Sequence, residues 1–301
     1  MLPTFLKPYH TDLSNLIRLG RKLDGGYVVD KRVIRKTKVI ITCGLNDEWS
    51  FEKQFQEYNN NCKILAFDHT VNNKFWADRF LKDFISLLLL RKIKLYQILD
   101  VFKFLQYLTF FKGKNKHYLK KIVSVKTKQD NQITISEAIG DNKDIVLKVD
   151  IEGDEYKVLK EINKNFNKLN LVIIEFHNLK KNLKKIKDFI KKSKLRNIHI
   201  NANNYGSVDN KGIPQVIEMT LINPKKFRIK KQKTTRNYPI KGLDYRNYKR
   251  GPEIQISFKK LIQLLAIFFK IDIELVVSKK IIINFLSLEI TISLTLSFSK
   301  K

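Results

Sequence analysis

Leu147-Lys148-Val149-Asp150-Ile151-Glu152-Gly153-Asp154-Glu155 is the stretch that decides the fold. A short apolar strand ends abruptly in two carboxylates and a glycine, and a helix-like pattern follows. In an open α/β sheet the ligand crevice lies beyond the carboxyl ends of the strands, so acids placed there face a cavity and not a core. The arrangement occurs twice more: Val39–Cys43 runs into Gly44, and Ile64–Phe67 runs into Asp68. Strand ends that each deliver a glycine or an acid point to a nucleoside-type cofactor site.

Outward from these strands, apolar runs and helical patterns alternate. A helix is predicted from near Ser50, which could cap it, and strands at 122–125, 171–177 and 198–201, with helices at 133–139, 156–166 and 183–193. Such alternation predicts a mostly parallel sheet with helices on both faces. Ile217–Ile222 and Glu253–Phe258 alternate in polarity and are expected to pair as late antiparallel strands. Residues 73–118 interrupt the scheme. Phe80, Leu81, Phe84, Ile85, Leu88, Ile93, Tyr96, Leu99, Phe102, Leu105 and Leu108 recur at helical spacing, which predicts one or two amphipathic helices. Packing is the simple role for them; a substrate lid or peripheral membrane contact through 80–111 is the sharper one. The tail differs again. Leu286–Ser299 alternates strictly, as does Ile271–Leu275, and Ser278-Lys279-Lys280 could turn between them. The expected organisation is a domain over 1–258 with a helical insert at 73–118, followed by a hydrophobic, hairpin-like β tail over 259–301.

The chain has 301 residues, 43% of them hydrophobic, enough for a sizeable core. Its 59 basic and 29 acidic residues give a net charge of +30, which attracts anionic partners. Lysine is spread along the whole chain and accompanied by Asn and Ile, so the charge reads as compositional bias, and no nucleic-acid-binding signature accompanies it. Cys43 and Cys62 form neither a disulfide framework nor a zinc spacing, which suits a reducing, cytoplasmic setting. The N-terminus lacks a signal-peptide apolar stretch, and no long uncharged run suggests a spanning helix.

Individual residues suggest chemistry. Gly44 would let backbone approach a ligand, although only one glycine is present and an ordinary strand-to-helix turn explains it equally. Asp68, about 20 residues on, is placed to accept ribose hydroxyls or to cap a turn. Asp150 and Glu152 point to one side of an extended segment and could accept a proton, orient a hydroxyl, hold a divalent cation or simply cap the next helix. Glu175 and His177 share that spacing, and His177 is a candidate general base. His199, Asn203 and Tyr205 lie where a strand empties into an amide-rich loop suited to sugar hydroxyls, although loop composition alone also favours Asn.

Taken together, Asp24-Gly25-Gly26-Tyr27, Ser50-Phe51-Glu52, Phe67-Asp68, Lys148-Val149-Asp150-Ile151-Glu152-Gly153 and Glu175-Phe176-His177 resemble the FkbM-type S-adenosylmethionine-dependent methyltransferases, in the branch with DGGY and SFE boxes. The resemblance spans roughly 15–258 and leaves out the tail. It implies a class I, Rossmann-like methyltransferase fold with a seven-stranded sheet and one antiparallel strand near its edge. It implies S-adenosyl-L-methionine as cofactor, bound by Gly26, Gly44, Asp68 and Asp150. Catalysis would fall to His177 first, then Asp150 or Glu152, with no metal assigned; the alternative is a metal-dependent site through Asp150, Glu152 and Glu175. Glu175, His199, Asn203 and Tyr205 would bind a sugar, glycan or other hydroxyl acceptor. The rival readings are a non-catalytic binding module for carbohydrate or lipid, and a nucleic-acid methyltransferase. The amine-methylating N-P-P-Y box that would favour the latter is absent.

Overall fold

A computed structural model describes residues 1–89, 102–124, 129–258, 282–286 and 289–293. Its centre is a seven-stranded sheet. In chain order the sheet strands are β3 (Val39–Cys43), β4 (Lys63–Phe67), β5 (Lys116–Tyr118), β8 (Ile145–Val149), β9 (Leu169–Phe176), β10 (Arg196–Ala202) and β11 (Ile217–Ile222). Outside it, β1 (Leu16–Leu19) pairs with β2 (Tyr27–Asp30), and β6 (Lys121–Ile122) with β7 (Gln132–Ile133). Across the central sheet the order is β10-β11-β9-β8-β3-β4-β5. β11 runs antiparallel to both neighbours, and the other contiguous pairs are parallel. β3, β8 and β9 are buried along their whole length and mostly apolar, as strands covered on both faces require, with Thr42, Lys148, Asn170 and Glu175 as the polar exceptions.

Successive strand residues feed opposite cores. Ile41, Cys43, Leu147, Val149, Val172 and Ile174 belong to one apolar cluster, and Ile40, Val146, Leu171 and Ile173 to the other. The first core is closed by α5 (Ile135–Ile139), α6 (Glu155–Lys164) and α7 (Leu179–Lys192), the second by α1 (Lys31–Lys36) and α2 (Ser50–Tyr58). A third cluster joins Leu45, Trp49 and Ala66 to Trp76 of α3 (Asn73–Leu88) and to Phe104 and Tyr107 of α4 (Lys103–Phe110). Leu2 donates its N–H to the Ser257 carbonyl and bridges to Phe258, so the chain closes on itself around the sheet.

The structure corrects several local expectations. The strand beside β4 is Lys116–Tyr118, inside the segment assigned to the insert; it is short and half polar, so it carries no apolar run. The expected strand at 122–125 shrinks to Lys121–Ile122 in the small parallel pair with β7, and Val125 lies outside the described residues. Ile217–Ile222 pairs with β9 and β10 and not with Glu253–Phe258, where Ile256 instead bridges Tyr238. Ser50 does not cap α2: its Oγ accepts Arg21 N–H, while Glu48 accepts Ser50 N–H. In the tail, Ile282–Leu286 pairs antiparallel with Glu289–Ser293; the expected turn at Ser278–Lys280 lies outside the described residues. Ile93, Tyr96, Leu99 and 271–275 lie outside the described residues.

Among the buried polar side chains of the sheet is a lysine. Lys148, in the last turn of an otherwise apolar strand, is buried, and an ammonium there demands a partner. Its Nζ lies 3.1 Å from Glu52 Oε1 of α2 and 5.1 Å from the centre of the Tyr27 ring. Thr42 donates to the same Glu52 oxygen at 2.7 Å. Removing one partner leaves an uncompensated buried charge, which costs about 3–5 kcal/mol. Lys148→Met is therefore expected to lower the urea-unfolding free energy by about 3 kcal/mol. The double variant Glu52→Gln, Lys148→Met should recover most of that loss, and equal destabilisation of both variants would contradict the pairing.

Candidate active site

The carboxyl ends of β3, β4 and β8 open onto a cavity of about 600 Å³. Gly44, Asp68 and Asp150 all line it, together with Asp24, Gly25, Tyr27, Glu48, Lys148, Glu152 and the β5–β6 residues Lys120–Ile122. β3 and β8 are adjacent parallel strands, so the chain leaves both at the same level. Asp150 N–H donates to Cys43 O at 2.9 Å, and Gly44 turns away with φ +84°. A Cβ on Gly44 would stand 1.7 Å from the Asp150 carbonyl oxygen, so only glycine fits beneath that backbone.

Asp68 is committed to the loop after β3. Its Oδ2 accepts Leu45 N–H and Asn46 N–H at 2.8 and 2.9 Å, and its Oδ1 accepts Thr70 N–H at 2.8 Å and Thr70 Oγ1 at 2.6 Å. Burial would raise this carboxyl, but the hydrogen bonds from Thr70, Asn46 and Leu45 outweigh it and hold the group below the usual carboxylate range. Asp68 thus shapes the cavity wall and also faces the cavity.

Beyond Asp150 the backbone makes a tight turn, with Glu152 at φ 53° and Gly153 at φ 99°. Gly153 N–H donates to Glu155 Oε1 at 2.8 Å, and the same oxygen lies 2.9 Å from His177 Nδ1. A carboxylate only accepts, so Nδ1 carries the hydrogen and Nε2 faces the acids. Nε2 lies 3.4 Å from Glu152 Oε2 and 3.7 Å from Glu175 Oε1. Burial pulls the imidazole pKa down, but Glu155, Asp150 and Glu152 together carry it above the ordinary histidine value. Asp150 is pushed up to about 7, chiefly by burial, against the opposing pull of Lys148 and His177. Its Oδ1 is buried without a hydrogen-bond partner, although the carboxyl borders the cavity. Among the described residues, donor atoms of Asp150, Glu175 and His177 all lie within 4.8 Å of one another, close enough to share a metal ion or a proton.

Behind this cluster, Glu175 and Glu218 are cross-strand neighbours and both buried. Burial is the main force raising both carboxyls; nearby carboxylates add to it for Glu175. Amides compensate: Asn203 donates to Glu175 at 2.8 Å and Asn247 to Glu218 at 2.6 Å, with Asn247 reaching Asp24 as well.

The remaining expected residues fall elsewhere. Gly26 does not line the cavity; its missing side chain makes room for Arg21 O and the Arg18 guanidinium, while Gly25 and Tyr27 face the hollow. His199 is buried on β10 with its Nε2 3.0 Å from an Asp244 carboxylate oxygen, packed on Tyr238. Tyr205 is 63% exposed and lies against Tyr248. Asn203, Glu175 and His177 sit behind the lining and not in it. Sequence reasoning passed over Lys148, Glu52, Glu155 and Asn247. A lysine inside an apolar strand was the available signal for the first two, since its charge must be met from elsewhere in the chain.

A sulfonium nucleoside fits these walls. The cavity size is that of a cofactor pocket, a backbone cradle lies at Gly44, and an unpartnered acceptor waits at Asp150. The structure is similar to a precorrin-6y C5,15-methyltransferase from Geobacter metallireducens (11% identity, 64% of this chain and 87% of that one, TM-score 0.33). It is also similar to a tRNA (uracil-54, C5)-methyltransferase from Pyrococcus abyssi with S-adenosyl-L-homocysteine (11%, 69% and 44%, TM-score 0.30). A third similar structure is TYW2 of M. jannaschii with AdoMet (11%, 71% and 89%, TM-score 0.28). No curated protein matches the sequence. A family model for the methyltransferase FkbM domain matches residues 42–205, from the end of β3 through the loop after β10. The chain therefore belongs to the FkbM methyltransferase family and is a class I, S-adenosylmethionine-dependent methyltransferase.

Proposed function

We propose that the protein methylates a hydroxyl oxygen on a sugar, glycan or similar small molecule. The observation that carries this reading is the carboxylate–imidazole cluster of Asp150, Glu152, Glu175 and His177, placed beside the Gly44 cradle. When bound, the cofactor supplies an electrophilic methyl carbon on a good leaving group, so alignment of the acceptor is a large part of the protein's task. An alcohol is a poor nucleophile while protonated, and a base must take its proton as the oxygen attacks. Asp150 suits that role better than His177, because it borders the cavity and titrates near neutrality. His177 then orients and shares the proton, held by Glu155 much as a triad carboxylate holds its imidazole. Glu152, with its side chain 85% exposed at the cavity rim, is available to an acceptor hydroxyl.

Three outcomes test the proposal. A base must be ionised to act, so kcat/KM should rise about tenfold per pH unit below about 7 and level off above it. Asp150→Asn should lower kcat by about a hundredfold or more. His177→Gln should shift the pH limb while leaving cofactor affinity within about twofold. A pH-independent rate, or full activity in Asp150→Asn, would remove Asp150 from the chemistry. Loss of activity on chelation, restored by added Mn²⁺, would instead make the cluster a metal site.

Asp68→Ala should weaken cofactor binding by at least about tenfold in calorimetry, because the Leu45–Asn46 loop loses the carboxylate that organises it. Unchanged affinity would separate that loop from the cofactor. For the acceptor itself, incubation with labelled cofactor and a glycan extract should transfer label to an alkali-stable ether. Label recovered only in nucleic acid would refute the hydroxyl-metabolite reading.

A further inference from the structure

Water-soluble proteins turn the apolar stripe of a surface helix inward and its charges outward. α3 departs from this beyond Trp76. Asp83 is buried, and Arg79, on the same inward face, pairs with Asp83 at 2.6 Å and with Asp47. On the outer face Phe80, Leu81, Phe84, Ile85 and Leu88 are all exposed, with Phe80 and Phe84 stacked on each other at 5.8 Å. α4 follows suit. Its Phe104 and Tyr107 pack inward on Trp76, leaving Phe102, Leu105 and Leu108 in solvent one helical turn apart. Contiguous apolar exposure of this kind marks an interaction surface.

Charge identifies the occupant. Lys74, Lys82, Lys112, Lys114 and Lys116 are exposed on or beside these helices, in a chain of net charge +30. A second copy would bring two such charges together, and the chain's own 259–301 segment has more lysines than acids. An anionic lipid surface offers both an apolar layer for the Phe and Leu side chains and negative charge for the lysines. No helix among the described residues is long and apolar enough to cross a membrane, so the contact is interfacial. The helices are also fixed to the cavity wall: α3 begins just after His69 and Thr70, which line the cavity, and Trp76 packs edge-on against Trp49 at 6.3 Å.

We propose that the outward face of α3 and α4 docks on an anionic membrane and holds the cavity rim at the headgroup layer. This does not depend on the chemistry proposed for Asp150. Flotation of the full chain with vesicles of phosphatidylcholine, alone or with about one-third phosphatidylserine, tests it. The protein should float with the anionic vesicles and largely fail to float with the neutral ones. The exposed-site variant Phe84→Ser, Leu88→Ser, Leu105→Ser should partition at least about tenfold less, with cofactor affinity unchanged as proof of folding. Failure of the unmodified chain to float with anionic vesicles overturns the proposal. So does flotation of the variant at the unmodified level, which would leave only diffuse charge attraction. A dimer that the same substitutions split in sedimentation would assign the face to a second copy.

Discussion

A single buried ammonium governs how this molecule is assembled. Lys148 sits where a sheet strand should carry an aliphatic side chain, and an unpaired charge there would cost several kcal/mol. Its needs are met by Glu52 from α2 and by the Tyr27 ring from β2. Meeting them draws three distant segments of the chain to one point, and the same strand then continues into Asp150. Lys148 also opposes the rise of the Asp150 carboxyl that burial causes. The cation that fixes the fold therefore helps set the protonation of the group facing the cavity.

The sheet was legible in the sequence because strands covered on both faces are predominantly apolar, and Val39–Cys43, Ile145–Val149 and Leu171–Phe176 each carry only one polar residue. The meeting of Gly44, Asp68 and Asp150 was legible too, since parallel strands deliver their carboxyl ends to one edge. What escaped was the division of labour among polar residues. Asp68 could be placed but not its four hydrogen bonds to the neighbouring loop, which depend on where Leu45, Asn46 and Thr70 point. Tyr205 follows a strand and His199 lies in its second half, as true site residues would. Yet β10 is the far edge of the sheet, separated from β8 by β11 and β9, and strand order cannot be read from one-dimensional spacing. Lys116–Tyr118 was missed because an edge strand of alternating polarity gives a weak signal within a basic, helix-patterned segment.

The acids behind the cavity make sense as a set. Glu175 and Glu218 face one another across adjacent strands, with Asp24 and Asp150 close enough to add to the charge on Glu175. Buried carboxylates so close cannot all ionise cheaply, and raised pKa values are the result. Side-chain amides of Asn201, Asn203 and Asn247 satisfy these oxygens without supplying positive charge. The amides thus satisfy the geometry of the cluster, while the positive charge that reaches it comes from its margins, from Lys148 and His177 toward Asp150 and from Arg18 toward Glu218. A cation arriving in the cavity, or a proton released there, finds a ready acceptor.

That local excess of acid opposes the sign of the whole chain. A net charge of +30 repels a cationic cofactor at long range, but screening confines that field to about 8 Å in physiological salt. Inside the cavity the relevant charges are Asp24, Glu48, Asp150 and Glu152, countered by Lys120, Lys121 and Lys148 at the wall. Charges lining a partly enclosed cleft are screened far less than exposed ones, so nearby acids outweigh distant lysines. The exterior charge is then free to act on other partners. In the docking proposed above, it would do so where it borders an apolar helix face, at α3 and α4, and not at the sheet edge where the cofactor's charge must be received. Basic exterior and acidic crevice are two separate electrostatic devices on one fold, each effective only over its own range.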